Sequence, residues 1–330
     1  MGPWLSSLAW CFLLTGLARS QELDTQSEYP ARPATDGRQL FLLLTTQRSG
    51  STWTCQVLSA QRNVSCGIPK NESVTGSLAE LLMQFTVDRF GNLWKKKRAA
   101  STLTFGEWRD AADKAFDAVA AASPSGASGA IGWKLMYNQV PDHLIDEVAR
   151  WISRRRIAVI HLVREASVLR LASLEQASKQ AVHHVTDPRR AQALASGATP
   201  VALPDSVARQ VRELERVDGA WRALLERGLR NRESEARYRY VAYEELVGAR
   251  SHDALTGAVR FLTGVDPGTS VSLPEHHQLQ QIHDGRCSHR IKDWEHLRSV
   301  LENTRTAEAC DALEQLDAVF RNATSIKGRP

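Results

Sequence analysis

Three observations predict an α/β protein: three layers, P-loop-like, around a mostly parallel central sheet. Two short runs, residues 41–45 and 157–163, are apolar almost throughout, as strands buried on both faces of a parallel sheet are. Between such runs lie segments with three-to-four apolar spacing, the longest carrying Val207, Val211, Leu214, Val217, Trp221 and Leu224. This strand–helix alternation places helices on both faces of one sheet. A chain of 330 residues, 42% hydrophobic, has the apolar content for a single large core.

The first twenty residues stand apart. "LSSLAWCFLLTGLA" followed by "ARS" and the polar "QELDTQSEYP" has the pattern of a signal peptide cleaved after Ser20. A retained signal anchor is the alternative, but the apolar run is short for a span and lacks flanking Lys or Arg. Cleavage removes Arg19 as the only charged side chain, so the formal charge falls from +5 to +4. Residues 21–38, with Pro30 and Pro33, read as a linker, and residues 39–330 as the folded domain. After residue 20 no apolar run approaches the length of a membrane span, so none is expected in the mature chain.

A secretory route, to the Golgi lumen or outside the cell, agrees with two further features. Asn63-Val64-Ser65, Asn71-Glu72-Ser73 and Asn322-Ala323-Thr324 are acceptors for N-glycosylation in the lumen. Cys55, Cys66, Cys287 and Cys310 remain after cleavage, an even number, and three pairings are open. Cys55 with Cys66 and Cys287 with Cys310 closes the shortest loops and is the expected one. No CxxC or HxxxH spacing suggests zinc.

In chain order, the strand at 41–45 leads through a small-residue loop into a helix near 52–60. A helix is expected at 73–85, then an irregular basic stretch containing "KKKR" at 95–98, then an alanine-rich amphipathic helix at 104–122 ending in "SPSGASG". "AIGWKLMY" reads as a strand, 142–152 as a helix, "IAVIHLV" as the buried strand with a helix directly after it. Pro204-Asp205 opens the long helix, "YRYVAY" is a late strand, and "ALTGAVRFLTG" a short helix stopped by Gly264.

The loop "TQRSGSTW" explains what an arginine is doing between a strand and a helix. Small residues let backbone N–H groups approach an anion, and the helix start directs its partial positive charge at it. GxxxxGK[ST] is absent: the cation, Arg48, precedes Gly50, and the hydroxyls of Ser51 and Thr52 open the helix.

"RSGSTW" resembles the 5′-phosphosulfate loop of the sulfotransferase superfamily, and "VIHLVREASVLRLAS" resembles its 3′-phosphate-binding motif. "GWKLMYNQ", "YRYVAYEEL" with "FLTGV", and "RIKDWEHLRSVLENT" follow the order found in carbohydrate and nodulation-factor sulfotransferases of Golgi type, so the resemblance covers most of residues 39–310. It implies 3′-phosphoadenosine 5′-phosphosulfate (PAPS) as donor, an acceptor hydroxyl, and no metal. It also implies a nucleotide site formed by Arg48, Ser49, Gly50, Ser51, Thr52 and Trp53 on one motif and Arg164 and Ser173 on the other, with Arg290 and Lys292 closing over the 3′-phosphate. The Arg164-to-Ser173 gap is nine residues, one more than in many members, which keeps Ser167 as a fallback hydroxyl. Trp53 has two readings, an adenine stack or packing of its helix on the sheet.

Catalytic roles are expected for Arg48, at the leaving phosphate oxygen, and for Lys134, which interrupts an apolar strand and either lines the sulfate site or reaches for the sheet edge. No "THLP"-like segment supplies a histidine base, which points to the carboxylate-using branch. Glu72 is the expected base, with Glu80 and His143 next in line. A pI near 9.0 and the "KKKR" run suit anionic ligands such as PAPS and an anionic glycan, whereas nucleic acid does not fit a lumenal protein. Two rivals are a nucleotide-dependent kinase, opposed by the missing GK[ST], and a non-catalytic lumenal binding protein of the same fold.

Overall fold

The computed structural model describes residues 37–61, 63–67, 103–123, 129–180, 200–229, 237–247, 251–265 and 286–315. The chain divides into two units, Met1–Arg32 and Pro33–Pro330, and every described residue belongs to the second. The signal segment, the helix expected at 73–85, the "KKKR" run, Glu72, Glu80, Asn71 and Asn322 lie outside the described residues.

Among the described residues five strands form one sheet: β1 (Gln39–Thr45), β2 (Val64–Gly67), β3 (Ala130–Met136), β4 (Ala158–Val163) and β5 (Tyr238–Ala242). Their order is β2-β3-β1-β4-β5 and every pairing is parallel, with Leu43 opposite Lys134 on one side and Ile160 on the other. The chain leaves β1 toward the β3 side and leaves β4 toward β5. The crevice between the carboxyl ends of β1 and β4 is therefore the topological switch point, where open α/β sheets bind ligands.

The helices follow the expected alternation. They are α1 (Ser51–Ser59), α2 (Phe105–Ala122), α3 (Ile145–Arg154), α4 (Ser167–Gln180), α5 (Val207–Leu229), α6 (Tyr243–Val247), α7 (Ser251–Thr263), α8 (Cys287–Arg290) and α9 (Trp294–Val300). Thr104 and Glu107 form a capping box that starts α2, satisfying two orphan N–H groups at once. Gly264, at φ +72, stops α7 in the left-handed conformation that costs a glycine least.

Alternate residues of each strand face opposite layers. Leu40, Leu42, Leu44, Ile131, Trp133, Leu135 and Val159 pack against α2, α3 and α5. Phe41, Leu43, Ala158, Ile160, Leu162 and Val241 pack against α1 and α7. A third cluster joins α4, the start of α5, α8, α9 and the helical residues 305–315. Both expected disulfides form: Cys55–Cys66 ties α1 to the edge strand β2, and Cys287–Cys310 ties α8 to the last helix.

Candidate functional site

The loop after β1 is built from short-range polar contacts. Ser49, fully buried, donates from Oγ to the Thr46 carbonyl over 2.7 Å and also meets the Thr45 hydroxyl, which itself donates to the Leu162 carbonyl of β4 over 2.9 Å. This turn projects Arg48 toward β4. Arg48 sits at φ +61 and Gly50 at φ +78, left-handed positions that a non-glycine residue occupies at a cost. At Gly50 a Cβ would stand 2.0 Å from the Tyr243 ring, so the glycine is required twice, by conformation and by space. Helix α1 then begins with no side chain capping its first N–H groups.

The second motif arrives from β4. Arg48 donates from Nε to the Oγ of Ser173, 2.9 Å away on α4, and Arg164 reaches the Arg48 carbonyl at 3.5 Å. Burial, and then the neighbouring Arg164 charge, pushes the Arg48 pKa down. The Arg164 guanidinium lies 5.2 Å from the centre of the Tyr243 ring, and its buried Nε has no hydrogen-bond partner. Two guanidiniums gathered at a switch point concentrate positive charge that an anion would balance.

The amides opening α4 are already taken. Glu244 accepts from the N–H groups of Glu165 and Ala166, each at 3.1 Å, and the Ser167 N–H donates to Thr306 over 3.2 Å. Burial raises the Glu244 pKa, while Arg164 and these N–H groups oppose that rise. Ser167, 1% exposed with an unbonded hydroxyl, is sealed beneath this contact, so Ser173 is the hydroxyl that reaches the crevice group Arg48.

Lys134 occupies the other side of β1. Its Nζ donates to the Thr52 hydroxyl at 3.3 Å, beside the uncapped start of α1, and no carboxylate among the described residues pairs with it. Burial lowers its pKa. The anionic protein partner that a lysine within an apolar strand normally has is thus replaced by a hydroxyl at a helix N-terminus.

The remaining expected residues fall as follows. Trp53 packs edge-on to Tyr243, ring centres 6.1 Å apart, against the α1 face of the core. Arg290 is buried and donates to Gln176 over 2.7 Å, one turn along α4 from Ser173. Lys292 is exposed, and its backbone N–H is bonded to the Val201 carbonyl. His143 faces the Leu103 carbonyl at 2.9 Å, at the entry to α2. Asn63 is exposed at the turn before β2.

Sequence reasoning missed Tyr243, Glu244, Arg170 and Asp218. Arg170 and Asp218 form an ion pair at 2.8 Å in which each side chain is 2% exposed. A detectable signal existed, because Arg170 stands inside "VLRLA" and Asp218 adjoins Val217 within the apolar stripe of α5.

A five-stranded parallel sheet with helices on both faces and a strand–loop–helix turn at its switch point is a P-loop-like α/β fold. The family model described as Stf0 sulphotransferase matches residues 40–247, well over half of the chain, and the chain belongs to that family. Comparison with curated proteins found no match. Membership supports sulfotransferase activity and assigns the chain to the sulfotransferase superfamily. The two disulfides are compatible with a secreted or lumenal protein. Among the described residues no helix is long and apolar enough to cross a membrane, and no cluster of His, Cys, Asp and Glu could hold a metal ion.

Proposed function

We propose that the protein transfers a sulfuryl group from PAPS to an acceptor hydroxyl, on a glycan or another substrate of the secretory pathway. The observation that carries this reading is the Arg48 Nε to Ser173 Oγ bond of 2.9 Å, with Arg164 beside it. It brings together the two motifs that resemble the 5′-phosphosulfate and 3′-phosphate elements, and both ends of PAPS are anionic. Arg164, through its unsatisfied Nε, and Ser173 would hold the 3′-phosphate. The open N–H groups of α1, with Ser51, Thr52 and Lys134, would hold the 5′ end.

When bound, PAPS supplies an activated sulfuryl group, and the protein supplies charge and position. On this reading Arg48 and Lys134 would stabilise negative charge on the leaving phosphate oxygen, and such preorganised cations lower a barrier most where water is excluded. Sulfuryl carries less charge than phosphoryl, so the reading needs no metal clamp. Arg290, already anchored on α4 by Gln176, and Lys292 would close the 3′ side.

Glu72 is proposed as the general base. A sulfate-transfer assay with labelled PAPS and a panel of glycan, tyrosine-peptide and small hydroxyl acceptors tests the function. Glu72→Gln should keep donor binding while lowering transfer by about 10²-fold or more. Donor binding without transfer to any acceptor would favour the non-catalytic binding protein, and preference for ATP would favour a kinase.

A further inference from the structure

We infer that the buried Arg170–Asp218 pair is a positioning device for the loop that carries Arg48, coupling the packing of α5 to the nucleotide site. The inference rests on the donor site proposed above.

The pair is not explained by stability. Both side chains are 2% exposed and share one 2.8 Å bond, while Arg170 Nε and Asp218 Oδ1 have no partner. An incompletely satisfied ion pair in the interior contributes little net stability, because two desolvation costs offset one attraction, and apolar residues of similar volume often do as well. What an apolar pair could not supply is the second arm of the guanidinium fork. Arg170 donates through it to Thr46 Oγ1 over 2.9 Å, 124 residues away in sequence.

Thr46 is where the loop is anchored. Its own carbonyl accepts the Ser49 hydroxyl at 2.7 Å, so residues 46–49 form a closed turn, held by Arg170 at Thr46 on one side and by the Thr45 bond to the Leu162 carbonyl on the other. Arg48, at φ +61, projects from that turn toward Ser173. A left-handed non-glycine residue persists only where its surroundings hold it, and Arg170 is the long-range contact that holds Thr46.

Asp218 is set in turn by the layer beneath the sheet. It lies beside the Tyr137 hydroxyl, and Trp221, one turn further along α5, stacks on the Tyr137 ring at 5.3 Å. Tyr137 also meets His161 Nε2, whose Nδ1 faces the Tyr238 hydroxyl at 2.9 Å. The line from β5 and α5 to the loop thus runs through polar side chains with fixed partners, and it ends on Thr46. Arg170 and Asp218 are positioning residues, acting through Thr46 on Arg48.

Two variants separate positioning from folding. Thr46→Val removes only the loop contact, and Arg170→Met with Asp218→Leu replaces the pair by apolar groups. Three quantities are measured on each: the melting temperature, the dissociation constant for 3′-phosphoadenosine 5′-phosphate, and hydrogen exchange over residues 45–56 and 207–229. The double variant is expected to melt near the wild-type temperature and Thr46→Val below it, because there the buried Arg170 arm loses its acceptor; both are expected to bind the nucleotide about tenfold more weakly and to exchange faster over 45–56 alone. Wild-type nucleotide affinity and wild-type exchange in either folded variant overturns the proposal. If the double variant does not fold, Thr46→Val decides by itself. If the wild-type protein binds no nucleotide, the donor reading fails, and faster exchange over 45–56 still upholds the positioning role while unchanged exchange ends it.

Discussion

Arg48 and Ser173 stand 125 residues apart in sequence and 2.9 Å apart in the structure, joined from Nε to Oγ across the crevice between β1 and β4. The bond places Ser173 at the crevice, whereas Ser167 is 1% exposed behind Thr306.

Ser173→Ala is therefore expected to weaken binding of 3′-phosphoadenosine 5′-phosphate by about five- to thirtyfold, the worth of a hydroxyl bond of about 1–2 kcal/mol. Ser167→Ala should leave it unchanged. Calorimetric titration of the two variants checks this, and the opposite ranking would return the phosphate hydroxyl to Ser167.

Gly50→Ala meets two obstacles at one position, φ +78 and a Tyr243 ring carbon 2.0 Å from the new Cβ. Strain at a left-handed residue and overpacking each cost about 1–3 kcal/mol. The variant should melt lower and lose donor affinity. Adding Tyr243→Ala should recover only part of the stability, because the backbone conformation remains unfavourable. Thermal denaturation of the single and double variants measures both shares.

His161 is held neutral. Burial first, then the charges of Arg222 and Arg305, push its pKa down to about 3. The unfolded chain takes up a proton near the ordinary histidine value of about 6.5, while the folded chain does not do so until about pH 3. Between these limits the unfolded state binds more protons, so His161's contribution is complete above about pH 6.5 and is lost as the pH falls. The slope from this one group is at most about 1.4 kcal/mol per pH unit. Denaturant midpoints across this window should fall less steeply on acidification in His161→Gln than in the wild type, and parallel curves would show that His161 titrates elsewhere.

Much of this architecture is legible in the sequence for local reasons. β1 and β4 announce themselves as nearly all-apolar runs because both their faces are covered, and the loop after β1 is marked by Gly50, whose positive φ few residues tolerate. The cysteine pairs follow from short loop closure, and Gly264 marks the end of α7. What escapes is polar and distant. Glu244 looks like one of two ordinary acids after a strand, and only the return of α4 shows that it satisfies the amides of Glu165 and Ala166. Tyr243 reads as the last residue of a strand until its ring is found against Gly50 and Arg164. Asp218 sits on a helix whose arginines mostly face water, and 48 residues separate it from Arg170. Lys134 shows the converse: its burial is foreseeable from the strand, but the Thr52 hydroxyl in place of a carboxylate is not.

Arg164 and the loop carrying Arg48 are proposed to bind the two anionic ends of one nucleotide. This is tested most directly by titrating 3′-phosphoadenosine 5′-phosphate, and in parallel ATP, into the wild-type protein and a folded Arg164→Ala variant. The wild type is expected to prefer the 3′-phosphorylated nucleotide by a wide margin. Arg164→Ala should lose about 1.5–3 kcal/mol of that binding, a ten- to more than hundredfold weakening, because a charge-assisted contact to phosphate is gone. Equal affinity of wild type and Arg164→Ala for 3′-phosphoadenosine 5′-phosphate, or a preference for ATP, would contradict it.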